Sequence, residues 1–208
     1  MTSEPEPTRD RVYRSPAGIA GGALLLALGA WLGIDAVIGG DGRTPWLALA
    51  GLLFAVPLVV AFTLRPAVFA SEDRLRIRNP FRSITLPWAV VATFRSGYSN
   101  EVVDQTGTKY QLWSVPVSLR GRKKAQRNLA RAAAADDPGR PSVIGTGSLQ
   151  SRSTRAATDQ VMDELRELSE ARAAEPASQG EPAVRWAYEI IAPALAGAVV
   201  LAVLLATG

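Results

Sequence analysis

Residues Arg65–Arg95 read RPAVFASEDRLRIRNPFRSITLPWAVVATFR, and their apolar side chains recur at every second position rather than on a helical period. Val68-Phe69-Ala70 leads through Ser71-Glu72-Asp73 into Arg74–Arg78, where Leu75 and Ile77 point one way and Arg74, Arg76 and Arg78 the other. Asn79-Pro80 ends that strand. Ser83–Leu86 and Ala89–Arg95 read as further strands on either side of Pro87-Trp88. Glu101–Asp104 and Lys109–Trp113 read as a hairpin whose turn, Gln105–Thr108, holds Gly107 where positive φ is needed. Short antiparallel strands at this spacing imply a small barrel or sandwich.

Outward from this β-region the composition changes. Three runs without Lys or Arg, Ala17–Ile38, Trp46–Leu64 and Ile190–Thr207, each approach the ~20 apolar residues that span a bilayer. The division expected is a disordered cytoplasmic tail over 1–14, spans over 15–39, 46–64 and 185–207, and an external loop over 40–45. The cytoplasmic domain covers 65–174, with a basic, linker-like insertion over 118–158, and a flexible tether follows over 175–184. The first run is longer than the ~7–15 apolar residues of a signal peptide, so it reads as a retained anchor.

Charge sets the orientation. Arg9, Arg11 and Arg14 precede the first run, Arg65 follows the second and Arg185 precedes the third, whereas the first loop carries Arg43 offset by Asp41. By the positive-inside rule the N-terminus and the middle domain are cytoplasmic and the C-terminus external, which makes a multi-pass plasma-membrane protein. Trp46, Trp186 and Tyr188 suit the interfacial belt. Asp35 and Glu189 sit near span ends as interfacial carboxylates, which argues against transport.

Within the spans, Gly18, Gly22, Gly29 and Gly33 form two GxxxG pairs on one helix face, and Ala194, Ala198, Ala202 and Ala206 recur at four-residue spacing. Small residues let helices approach closely in lipid, within one chain ahead of between two. Asp159–Ala174 places Val161, Met162, Leu165 and Leu168 on one stripe, as a helix lying on a sheet would.

Composition excludes much chemistry. The chain has no Cys and no His, so disulfides, thiolate or imidazole metal sites and Cys–His or Ser–His–Asp catalysis are ruled out. No cofactor and no metal is expected, and the protein reads as a non-enzyme. Gly145-Thr146-Gly147 lacks the remainder of a phosphate loop and reads as linker.

The stretch Arg65–Arg95, together with VVDQTGTKYQLWSV ending at Val115, resembles the bacterial pleckstrin-homology (PH) domain of actinobacterial membrane proteins, of the low-molecular-weight protein antigen six type. The resemblance rests on a hairpin ending in Arg78-Asn79-Pro80, the Pro87-Trp88 strand and a late helix. It implies an α+β membrane protein, with a seven-stranded, partly open barrel closed by a C-terminal helix beside three transmembrane helices. It implies no activity and no agreed ligand. Arg74 stands where the family commonly has glycine.

Two basic groups are candidate contacts for anionic lipid. One is the hairpin strip Arg74, Arg76, Arg78 and Arg82, which also reads as a solvated outer face. The other is the segment holding Arg120, Arg122, Lys123, Lys124, Arg127 and Arg131 without an acid among them. Near an anionic leaflet such residues gain ~1 kcal/mol each. Adsorption to lipid and a merely solvated helix both fit, and nucleic acid is a minor option for a membrane-anchored chain. The partners expected are the membrane, anionic lipids and a protein of unknown identity. The function expected is a binding or scaffolding module at the inner leaflet, with anionic-headgroup sensing as the alternative.

Overall fold

The structure is a computed structural model that describes residues 10–96, 98–115 and 149–207, with side chains in the last stretch from 158 onward. In chain order the elements are β1 (Arg11–Tyr13), α1 (Pro16–Gly39), α2 (Thr44–Val59), β2 (Ala67–Ala70), β3 (Arg74–Arg78), β4 (Arg82–Pro87), β5 (Val91–Ser96), β6 (Asn100–Asp104), β7 (Lys109–Gln111), α3 (Leu149–Arg172), β8 (Ala183–Trp186) and α4 (Tyr188–Ala206).

Three helices are long and apolar enough to cross a membrane: Pro16–Gly39, Thr44–Leu64 and Tyr188–Ala206, with mean hydropathies of 1.9, 2.5 and 2.3. Helix α1 starts cleanly because the Ser15 hydroxyl accepts the Gly18 N–H at 3.1 Å and Pro16 occupies the first turn, where its missing N–H costs nothing. Helix α2 contains Pro57 and ends in a π turn over Val60–Leu64, with the Arg65 N–H on the Val60 carbonyl at 2.9 Å.

Helix α2 packs against both α1 and α4. A Cβ on Gly22 would lie 2.7 Å from Thr63 Cβ, and one on Gly33 would lie 3.0 Å from Leu52 Cγ. Gly18 meets only ordinary contacts and Gly29 open space. On α4 the closest approach is at Gly197, where a Cβ would lie 2.7 Å from the Leu53 carbonyl carbon and 2.8 Å from Phe54 Cα. Of the alanine stripe, Ala194 is buried and Ala198 half-buried, whereas Ala202 and Ala206 are exposed. Four residues turn a helix through about 400°, so a strict four-residue stripe drifts roughly 40° per step off a straight contact line. The contact line on α4 runs instead through Ile190, Ala194, Gly197, Leu201 and Leu204.

All strand pairs are antiparallel, in a five-stranded sheet ordered β1-β2-β3-β4-β8 and a three-stranded sheet ordered β5-β6-β7. Leu75 and Ile77 on β3 join Val68, Ile84, Leu86, Trp88, Phe94, Val102, Tyr110 and Leu112 in one core between the sheets. Helix α3 closes it with Met162 and Leu165. Trp88 is fully buried, and its indole N–H donates to the Ser71 carbonyl at 3.0 Å, which satisfies the one polar atom it carries into the core. Gly107 takes φ 87° in the β6–β7 turn, whose N–H groups at Thr106 and Thr108 donate to the Asp104 carboxylate at 2.9 Å.

The sheets are joined by Asn79. Its side-chain NH2 donates to the Gln111 carbonyl at 2.9 Å and its side-chain oxygen accepts the Trp113 N–H at 3.4 Å. The buried amide thus stands in for a missing ladder rung between the β3–β4 turn and the end of β7.

Several expected boundaries differ. Arg11–Tyr13, placed in a disordered tail, is an edge strand paired with β2 (Val12 opposite Phe69). Ala183–Trp186, placed across the tether and the third span, is the opposite edge strand, paired with β4 (Ser83 opposite Arg185). The tether also holds a short 3₁₀ turn at Pro176–Ser178. The described residues hold eight strands rather than seven. The sheet-capping helix begins at Leu149 rather than Asp159. Trp88–Val90 is a 3₁₀ turn, so the strand expected over Ala89–Arg95 starts at Val91.

Candidate anion-binding arginine cluster

The five-stranded sheet meets the long helices end-on. Only Arg14-Ser15 separates β1 from α1, Arg65-Pro66 separates the π turn from β2, and Ala187 separates β8 from α4. The β3–β4 turn arrives at the same end. The Phe62 and Phe81 rings meet edge-on at 5.3 Å between centroids, and Phe62 lies 5.6 Å from Trp113. The Trp113 indole N–H donates to the Phe62 carbonyl at 3.3 Å, and the Ala187 N–H donates to the Phe81 carbonyl at 2.8 Å. Each junction is too short, and too well bonded, to act as a flexible linker.

Strand register then decides which side chains share this end. Ala67 faces Arg78, Arg78 faces Ser83, and Ser83 faces Arg185. Tyr13 pairs with Val68, so Arg14 continues the row beside Ala67. The row Arg14–Ala67–Arg78–Ser83–Arg185 lies on the sheet face turned away from the core, because Ile77 and Ile84 occupy the alternate, buried positions. At roughly 4.8 Å between strands, Arg78 and Arg185 are about 10 Å apart along it.

Arg65 is tucked under this row, with 12% of its side chain exposed. Its Nη2 bonds Glu189 at 2.9 Å and approaches the Ser83 hydroxyl at 3.5 Å, while its Nε is buried without an acceptor. Arg76 lies 3.5 Å from Asp10 and 4.6 Å above the Phe69 ring, and its Nε is likewise buried without an acceptor. Arg78 sits 5.3 Å from the same ring and has no carboxylate within ion-pair distance among the described residues. The same holds for Arg14 and Arg185. Burial first, then the charges of Arg76, Arg65 and Arg14, push the Arg78 pKa below its ordinary value, with Glu189 opposing. The field at this end of the sheet is therefore positive and undercompensated.

The hairpin strip divides between the two ends and the two faces of the sheet. Arg74 lies at the far end of β3, where its guanidinium bonds Asp73 and holds that carboxyl below the usual range. Arg82 does not share their face. It has the same strand parity as Ile84 and Leu86 and lies near Tyr110. Arg120, Arg122, Lys123, Lys124, Arg127 and Arg131 lie outside the described residues. In the sequence, Arg14, Arg65 and Arg185 mark only orientation. Their convergence depends on β1 and β8, which pair with strands distant in the chain.

Residues 65–141 match the family described as the bacterial PH domain. The chain carries a bacterial PH domain. The matched residues begin at Arg65 and include β2 to β7 of this PH domain, while β1, β8 and α3 lie outside them. No curated protein and no solved structure matches the chain.

Proposed function

We propose that this protein is a non-enzymatic, multi-pass plasma-membrane protein that holds its PH domain against the inner leaflet as a binding or scaffolding module for a protein partner. The N-terminus and PH domain are cytoplasmic and the C-terminus external, following the arginines that border the three helices. The observation that carries this reading is the construction of the sheet's two edges, β1 and β8, from the chain that enters α1 and α4. A domain built in this way keeps one orientation, which suits a fixed docking platform better than a tethered probe.

Reporter fusions at Gly107 and at the C-terminus test the orientation, and proximity labelling from the PH domain of the full-length chain tests the partner. A periplasmic or extracellular Gly107 would overturn the reading, as would a labelled set no different from that of an unrelated membrane protein.

A second reading, sensing of anionic headgroups, is favoured by the guanidiniums of Arg14, Arg78 and Arg185, which have no ion pair among the described residues, and the basic segment Arg120–Arg131 would add to them. Capture of the full-length protein's lipid ring from mixed membranes separates the two. Enrichment of anionic over zwitterionic lipid supports sensing, and an unselective ring removes it.

A further inference from the structure

We infer that the row Arg14–Arg78–Arg185, with the Ser83 hydroxyl between the last two, binds the phosphate groups of anionic phospholipids beside the helix ends. This deepens the headgroup-sensing reading and rests on the three helices spanning a bilayer.

The position comes first. The row occupies the strand ends that run into α1, α2 and α4 within one or two residues, and helix ends are where lipid phosphates lie. Chemistry comes second. Four arginines (Arg14, Arg65, Arg78 and Arg185) share that end, and Glu189 pairs with Arg65; Arg76, farther along β3, is held by Asp10. The guanidinium is a planar fork of N–H donors that matches phosphate oxygens two at a time, which an ammonium cannot do. Half-buried Ser83 stands between Arg78 and Arg185, whereas Ala67, beside Arg78 on the other side, is fully covered. Ser83 adds a neutral donor already within 3.5 Å of Arg65, and the buried Arg65 Nε and Arg76 Nε still lack acceptors.

The far end of the same strand shows the contrast. There Arg74 is neutralised by Asp73, and Pro87 faces it across the ladder. Two ends of one basic strip thus differ in kind. The distal arginine is paired within the protein, whereas Arg14, Arg78 and Arg185 near the helices have no ion pair among the described residues.

The test uses the full-length protein in detergent micelles, titrated with phosphatidylglycerol and followed by native mass spectrometry. At ~1 kcal/mol per arginine, removing two charges with Arg78→Gln and Arg185→Gln should weaken apparent affinity roughly 30-fold. Removing two charges elsewhere, with Arg74→Gln and Arg95→Gln, should change it less than about 3-fold. Arg78→Lys keeps the charge and so guards against misfolding; it should still lose several-fold because the fork is gone. Equal losses from both double variants would overturn the site in favour of general charge. A loss confined to the Arg74 pair would overturn the site and leave headgroup sensing standing. No loss in any variant would overturn both. Equal occupation by inorganic phosphate in zwitterionic micelles would also overturn the assignment, because the anion would then be a free solute.

Discussion

Replacing Asn79 with alanine removes the side chain that joins the two sheets. One of its hydrogen bonds is well formed, to the Gln111 carbonyl at 2.9 Å, and the other is long, from the Trp113 N–H at 3.4 Å. A net bond is worth about 1 kcal/mol, and a stranded partner group costs about 1–3 kcal/mol more when water cannot reach it. Gln111 and Trp113 are both exposed, so their freed backbone groups are near water and the penalty falls at the low end. The expected loss is about 2 kcal/mol. At roughly 4–8 °C per kcal/mol for a domain of about a hundred residues, the PH-domain melting transition should fall by on the order of 10 °C. The assay is thermal melting followed by tryptophan fluorescence, because Trp113 lies at the joint and Trp88 is buried in the core between the two sheets. Asn79→Asp keeps the acceptor but loses the donor and buries a charge, so it should destabilise at least as much. A loss below about 0.5 kcal/mol for both variants would refute the reasoning, because the joint would then be ornamental.

Four further outcomes follow from named positions. Gly197→Leu should separate α4 from α2 and lower the melting temperature of the helix bundle, because its side chain would meet the backbone of Leu53 and Phe54. Gly29→Ala, with open space around it, should be neutral or stabilise by up to about 1 kcal/mol. The Tyr13 hydroxyl donates to Glu164 at 2.7 Å, and burial, then that carboxylate, raises its pKa from 10.0 to about 12, with Arg11 opposing. Because the folded state holds this proton more tightly, its contribution is complete below pH 10 and is lost as pH rises toward 12. The stability gap between wild type and Tyr13→Phe should therefore be constant below pH 10 and shrink above it; a gap unchanged at pH 12 would contradict the assignment. Leu165→Ala, at a fully buried position on the core-facing side of α3, should cost about 2–5 kcal/mol in chemical denaturation.

The parts of this fold that local patterns specify were legible in the chain. The long helices follow from unbroken apolar runs, and β3 follows from the strict alternation of Leu75 and Ile77 with three arginines. Strands β1 and β8 were not legible, because each is three or four residues long and is specified only by a partner far along the chain. Their pairing turns a presumed tail and tether into structure, and it assembles the arginine row. Arg82 carried a signal that could have been used, since it shares parity with Ile84 and Leu86 and so cannot join the outward strip. Gly197 was overlooked in favour of alanines whose spacing drifts around the helix, whereas the contact on α4 follows alternating three- and four-residue steps. The charge of Arg65 was visible, but its place beside Ser83 and Glu189 needed the π turn that ends α2.

The absence of cysteine permits a direct test of whether the PH domain is built rigidly onto the apolar helices. Spin labels at Asp41→Cys, in the α1–α2 loop, and Gln105→Cys, in the β6–β7 turn, report the distance between the bundle and the far side of the domain in lipid nanodiscs. A single narrow distance distribution, broadened when Arg185→Pro breaks the β4–β8 ladder, is the predicted result. A broad distribution in the intact chain, unchanged by that substitution, would contradict the account.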